Sequence, residues 1–256
     1  MSKSKSVEDI KKIMSVEEEM IDILPKLEDE LNVINPWVEK LPAIFRTLKL
    51  KKKQIILDVP CGKGGVSIPL AKKYGVKVIG YDIISEYIKE AKQMTKEEKI
   101  DNLCKFGVED IRKVVQKKNI CDLLLWIAPP HLWKNSRKTI EKLRNAVKDN
   151  GLILIGDAYL YSEPNKYYKN YESLDNTTKG YISKGDMLIK FIDFKSNLWK
   201  EDFKRTKKSS RDFLKKTCDK NEKKVLKRYL KSLNVDEKRD TKHLGLAIWI
   251  IKVNKK

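Results

Sequence analysis

Asp58, Asp82, Asp110 and Asp157 each stand at or near the end of an apolar run, and His131 follows a fifth such run. Between the first two acids the chain reads Pro60-Cys61-Gly62-Lys63-Gly64-Gly65. Glycine has no Cβ and takes positive φ, so a turn of this kind lets the backbone approach a ligand closely. A helix that starts there aims its free N–H groups at the same place. Glycine turns between strand and helix also occur with nothing bound, but here Asp82 lies about twenty residues beyond the glycines. That is where the dinucleotide-binding pattern has an acid accepting from ribose hydroxyls, so an adenosine-type ligand is the leading expectation. His131, with an ordinary pKa near ~6.5, suits a proton acceptor for a substrate O–H, N–H or S–H; its plain alternative is a loop histidine bonded to backbone.

These residues need a sheet to hold them at one edge. Ile55 to Val59 is a short β-branched-rich strand, Val76 to Tyr81 a second, and Leu103 to Val108 a third. Cys121 to Ala128 is almost continuously apolar, the pattern of a parallel strand covered on both faces, and it belongs beside the first strand. Its end, Ala128-Pro129-Pro130-His131-Leu132-Trp133, opens over the crevice where doubly wound folds bind ligands. Trp126 and Trp133 suit walls for adenine or a cationic ligand group, although Trp126 equally suits plain core. Helices are expected at Val66 to Tyr74, from an N-cap at Ser85 to about Glu98, and at Asn135 to Lys148. Asp149-Asn150-Gly151 is a turn signal, and a fifth strand, Leu152 to Gly156, runs into Asp157, Tyr159 and Tyr161. Residues 160–185 are polar, tyrosine-rich and without period, as a substrate lid or a nucleic-acid stacking surface would be. Met187 to Phe194, a Lys/Arg-rich helical region from Trp199 to about Leu233, and a last strand, Leu244 to Val253, complete the layout.

The turn Asp58-x-x-Cys61-Gly62-x-Gly64-Gly65 resembles motif I of the class I S-adenosylmethionine-dependent methyltransferases, with Pro60 where a nicotinamide fingerprint has its first glycine. Motif-level likeness runs from about Ile55 to Tyr159. The resemblance implies a three-layer αβα Rossmann-like sandwich with a seven-stranded, mostly parallel sheet, the antiparallel last strand lying between the fifth and sixth. It implies S-adenosylmethionine as cofactor, held by Asp58, Cys61, Gly62, Gly64, Asp82, Ile83, Asp110, Ile111 and Trp126. Asp110 would accept from the adenine amino group and the next N–H would meet the ring, while a helix cap is the ordinary job of such an aspartate. Trp133, Asp157, Tyr159 and Tyr161 become substrate contacts, His131 the catalytic base, and a small-molecule methyl acceptor the partner. Adenine-methylating enzymes carry Asn, Asp or Ser before Pro-Pro and an aromatic; Ala128 lacks the group that holds the target amine, which argues against base methylation. RNA modification and a catalytically silent adenosyl-ligand module remain as alternatives.

Residues 1–50 read as a helical extension, with Ser6, Ile21, Leu24, Pro25 and Pro36 among its markers, and residues 51–256 as the methyltransferase domain. Trp37, Leu41, Ile44 and Phe45 recur at helical spacing, for packing on the sheet edge or as a lid. A charged start without an apolar core argues against secretion, and no apolar run spans a membrane. Cys61, Cys104, Cys121 and Cys218 show neither metal nor disulfide spacing, so reduced thiols, a cytoplasmic setting and no metal are expected. The formal charge is +20, and from residue 201 onward nineteen Lys or Arg face eight Asp or Glu. That excess suits either phosphate neutralisation or solvated surface from a Lys-rich coding bias.

Overall fold

A computed structural model of the chain describes residues 39–161 and 167–255, together with Met20, Ile23, Lys26, Leu27 and Trp37. The markers Ser6, Ile21, Leu24, Pro25 and Pro36 lie outside the described residues. The described order is α1 (Leu41–Thr47), β1 (Ile55–Asp58), α2 (Ser67–Tyr74), β2 (Lys77–Asp82), α3 (Ser85–Glu97), β3 (Cys104–Val108), α4 (Ile111–Val114) and β4 (Cys121–Ile127). It continues with α5 (Ser136–Ala146), β5 (Val147–Leu160), α6 (Leu174–Tyr181), β6 (Met187–Lys195), α7 (Asn197–Lys216), α8 (Lys220–His243) and β7 (Leu244–Lys252).

The strands form one seven-stranded sheet in the order β3-β2-β1-β4-β5-β7-β6. β1 to β5 are mutually parallel, and β7 runs antiparallel to both β5 and β6. This is the Rossmann-like arrangement, with the order reversing at β1. The cause is visible in composition: β1, β4 and β7 are apolar along nearly their whole length, so each needs cover on both faces. On one face Ile56, Leu123, Leu125 and Leu154 meet Ile68 of α2 and Ile88 of α3. On the other, Leu57, Leu124, Trp126 and Ile153 meet Ile140 and Leu143 of α5. β6 alternates exposed and half-buried residues, as an edge strand covered on one side does.

Trp37 is buried on the first face, its ring 5.7 Å from that of Phe194 and resting where Gly156 has no Cβ. Leu41, Ile44 and Phe45 are buried with it, so this stretch is packing for the sheet. Met20, Ile23 and Leu27 pack against Val225 and Leu226 of α8.

Several elements differ from the sequence reading. Ser85 is the first helical residue rather than the cap; Ile84 takes the extended cap conformation without a side-chain bond, and the Ser85 hydroxyl donates to Glu86 instead. Helix α5 stops at Ala146 because Val147 already pairs with Cys121. β5 does not end at Gly156: β7 pairs with it as far as Leu160, opposite Leu244, which turns Asp157 and Tyr159 into strand residues. The basic helical region is two helices, parted at Thr217 to Asp219, with the Asp219 carboxylate accepting from the N–H of Glu222. The tyrosine-rich insertion contains α6, capped by Ser173. Among the described residues no helix is long and apolar enough to cross a membrane.

Candidate active site

The glycine turn leaves β1 at Asp58 and enters α2 at Ser67, over the carboxyl ends of β1 and β2. Gly62 and Gly64 both hold positive φ, +51° and +79°, which only glycine takes without cost. A Cβ on Gly62 or Gly65 would meet nothing within 4 Å, so the turn borders open space. A Cβ on Gly64 would sit 2.7 Å from Ile68 Cδ1, so that glycine is needed for packing. Lys63 is buried within the turn, its Nζ 2.6 Å from Glu90 of α3.

Asp82 ties the turn down. Its Oδ2 accepts from the N–H of Gly62 at 2.8 Å and its Oδ1 from Ile84 at 3.0 Å. The Ile83 N–H contributes as well; burial nonetheless raises the carboxyl above its ordinary range. A carboxylate has about four lone-pair directions, so acceptor capacity remains for a ligand.

Asp58 is buried, and its Oδ2 has no well-formed hydrogen bond among the described residues; the Ser67 hydroxyl stands close enough to favour the carboxylate but falls short of hydrogen-bond geometry. Burial, with Asp82 adding like charge, pushes the Asp58 carboxyl up to about 7, against a lowering contribution from Ser67. An unsatisfied buried carboxylate oxygen at the strand end that feeds this turn suits a hydrogen-bond donor from outside the chain, a cationic one best. The Cys61 thiol is buried and driven well above its usual range, first by desolvation and then by Asp58 and Asp82. Cys61 is therefore a wall of the turn, its N–H donating to Tyr81 O at 3.0 Å.

Asp110 performs the capping job: it accepts from the N–H of Arg112 at 2.9 Å and binds the same guanidinium through both oxygens. Burial opposes this, but the Arg112 interactions lower its carboxyl overall. Ile111 heads α4, so by position its N–H has no intrahelical partner.

A second constellation lies at the ends of β4 and β5. His131, Trp126, Trp133 and Asp157 line one small cavity with Ser136, Tyr171, Glu172 and Tyr181. Trp126 stacks on Trp133 with ring centres 5.4 Å apart, and the edge of His131 meets Tyr171 at 4.4 Å. Trp126 belongs to the face opposite Asp58: Asp58 pairs with Leu125, and the next residue points the other way. It therefore joins the His131 group and not the glycine turn. Asp157 accepts from Tyr181 Oη at 3.1 Å and from the N–H of Ala158 at 2.7 Å, and burial raises its carboxyl while His131 opposes the rise.

Tyr159 and Tyr161 fall elsewhere. Tyr159 is buried, donates to Asp193 Oδ1 at 2.7 Å and packs on Trp249. Tyr161 lies at a separate, open groove with Asp193 and Lys195. The sequence reading did not anticipate Lys63, Ser67, Ser136, Tyr171, Glu172 or Tyr181; the last three lie in the insertion, whose tyrosine content was the one available signal. Among the described residues no group of three or more His, Cys, Asp or Glu is placed to hold a metal, and all four cysteines are free.

Known proteins bear on this geometry. A family model described as a methyltransferase domain matches residues 50–231. The chain is 34% identical over 103 residues to 2-methyl-6-phytyl-1,4-hydroquinone methyltransferase of Synechocystis, covering 40% of this chain and 31% of that protein. Norajmaline N-methyltransferase of Rauvolfia serpentina is 27% identical over 115 residues, covering 44% of this chain and 39% of its own length. The chain thus spans less than half the length of these curated relatives. Among solved structures, a SAM-dependent methyltransferase from Thiobacillus denitrificans in complex with S-adenosyl-L-homocysteine shares the fold, with TM-score 0.76 and 18% identity over 91% of this chain and 98% of that one.

Proposed function

Because the chain belongs to the methyltransferase-domain family, we propose that it is an S-adenosylmethionine-dependent methyltransferase acting on a small-molecule acceptor. The observation that carries this reading is the buried, unpartnered Asp58 oxygen beside a glycine turn open to a ligand. The donor, when bound, supplies a methyl group already activated on a sulfonium. Asp58 would accept from the donor's ammonium, and Gly62 and Gly64 let the backbone approach its amino-acid end. Asp82 keeps acceptor capacity for the ribose hydroxyls, with Cys61 and Ile83 flanking it. Asp110 and Ile111 would hold the adenine, the carboxylate sharing its bonds with Arg112. The chain's own contribution to the chemistry is alignment of the nucleophile and exclusion of water, with His131 as proton acceptor. In this reading residues 51–256 form the catalytic domain, residues 1–50 extend it, and a cytoplasmic setting accommodates its free thiols.

Names of several relatives support a small acceptor: the hydroquinone and norajmaline enzymes above, and Phosphoethanolamine N-methyltransferase 2 of Caenorhabditis elegans, 26% identical over 162 residues. Isothermal titration with S-adenosylmethionine, its demethylated product and NAD tests the cofactor assignment. Binding of both adenosyl compounds and not NAD is expected; preference for NAD overturns it.

One observation favours RNA as a second reading. Exposed Lys200, Lys204, Lys208, Arg211 and Lys215 line one face of α7, and Lys220, Lys224, Lys227, Lys231, Lys238 and Lys242 do the same on α8. Retention of single-stranded RNA whose affinity falls with salt by a log–log slope of about −0.7 per phosphate contact supports it, and a flat salt response removes it.

A further inference from the structure

The cavity at the ends of β4 and β5 has a composition unlike the rest of the molecule. The chain holds 56 Lys and Arg and carries a net +20, yet among the described residues no Lys or Arg lines this cavity. Two carboxylates do, Asp157 and Glu172, together with the rings of Trp126, Trp133, Tyr171 and Tyr181. Glu172 commits one oxygen to the Ser136 N–H at 2.7 Å. Asp157 uses two of its acceptor directions on Tyr181 and Ala158, and retains others. Ser136 lines the same cavity; it is 6% exposed, and its hydroxyl has no hydrogen-bond partner among the described residues.

The cavity is partly open to solvent, with about 30 Å³ accessible to a water-sized group. That is room for a small polar head group with the rest of a ligand extending outward. Carboxylates and π faces attract a cation, while an anionic head would meet like charge from both acids. An orphaned hydroxyl offers an acceptor to an N–H donor.

Placement fits an acceptor subsite. β1, β4 and β5 are adjacent and parallel, with Asp58 level with Leu125 and Leu125 level with Leu154. Strand spacing and rise put the Asp157 backbone ~14 Å from that of Asp58, close enough for one ligand to bridge the two ends.

We propose that this cavity receives the nitrogen of the methyl acceptor, and that the acceptor is a primary or secondary amine. The inference rests on the methyltransferase reading and adds the substrate class to it. The amine enters as an ammonium held by Asp157, the Ser136 hydroxyl and the aromatic rings. An ammonium has no lone pair, so it must lose one proton before it can act as a nucleophile. His131, on the cavity wall and partly exposed, takes that proton on a ring nitrogen and passes it to solvent.

The test uses the whole chain without donor, and three probes that differ only in the head group on a butyl chain: n-butylamine, n-butanol and pentanoate. Ligand-observed NMR titration is expected to rank butylamine at least tenfold tighter than the other two. Asp157→Asn should weaken butylamine at least fivefold, and Ser136→Ala and Trp133→Leu about two- to fivefold each, with the butanol signal unmoved. Titration of the same proteins with S-adenosyl-L-homocysteine reports separately on the donor site and on folding. Equal binding of the three probes, or unchanged amine affinity in Ser136→Ala and Trp133→Leu with donor-site binding intact, overturns the amine assignment and leaves the methyltransferase reading standing. Failure of the wild-type chain to bind the homocysteine compound, with amine selectivity preserved, sinks the parent reading instead.

Discussion

Asp58→Asn gives the most discriminating perturbation of the donor site, because one carboxyl sets both a stability trend and a binding trend. The Asp58 carboxyl titrates at about 7 in the folded chain, against an ordinary 3.8. Between those values the folded state binds the proton and the unfolded state does not, so stability falls as pH rises from about 4 to about 7. The full difference, 7 minus 3.8 at about 1.4 kcal/mol per unit, is about 4 kcal/mol for this buried group. Replacing the carboxylate by an amide removes that dependence, and the ligand-free variant should melt at a higher temperature than wild type at pH 7.5.

Binding moves in the opposite direction. If the ionised carboxylate is the form that holds the donor's ammonium, only the ionised fraction is competent, and the apparent Kd is the intrinsic value divided by that fraction. With the carboxyl at about 7, affinity for S-adenosyl-L-homocysteine should improve about fivefold between pH 6 and pH 7, a range in which the ligand's own α-amino group stays protonated. Asp58→Asn should lose most of this slope and weaken binding at pH 7.5 by ~1.5–3 kcal/mol, the range for a hydrogen bond to a charged group. Calorimetric titration at three pH values, with thermal denaturation alongside, measures both. Affinity that is flat with pH in wild type, or an equal slope in wild type and variant, refutes the reasoning.

Three further outcomes follow from the same geometry. Asp82→Ala leaves the Gly62 and Ile84 N–H groups without their acceptor and should weaken adenosyl-ligand binding by ~1–3 kcal/mol in titration. Gly64→Ala drives a Cβ to 2.7 Å from Ile68 at positive φ and should cost ~1–3 kcal/mol of unfolding free energy in urea, more than Gly62→Ala, whose Cβ enters open space. Trp37→Ala empties a fully buried site against Gly156 and Phe194, and a loss of ~3–5 kcal/mol is expected from denaturant titration.

The parallel half of the sheet was legible because its signals are local. β1 and β4 are continuous apolar runs, and the glycine turn names its own conformation through Gly62 and Gly64. The register that carries β5 on to Leu160 was not legible, since it is imposed by β7, more than eighty residues away. The same long-range pairing moved Tyr159 from the expected substrate loop into contact with Asp193 and Trp249. Trp126 illustrates a parity effect: nothing near it in sequence reveals that Asp58 pairs with its neighbour Leu125, which sends the indole to the other face.

That parity has a functional consequence. Of the groups assigned to the donor, Asp58, Gly62 and Asp82 come from segments within 25 residues of one another, and Asp110 and Ile111 follow β3. The cavity at β4 and β5 draws instead on the β4–α5 loop, the start of α5, one strand residue, and the insertion through Tyr171, Glu172 and Tyr181. A change in the insertion can therefore reshape that cavity without touching the hydrogen bonds that hold the glycine turn. On the proposed assignment, acceptor specificity is free to vary while the glycine turn stays fixed, because the cavity draws on the insertion and the turn does not.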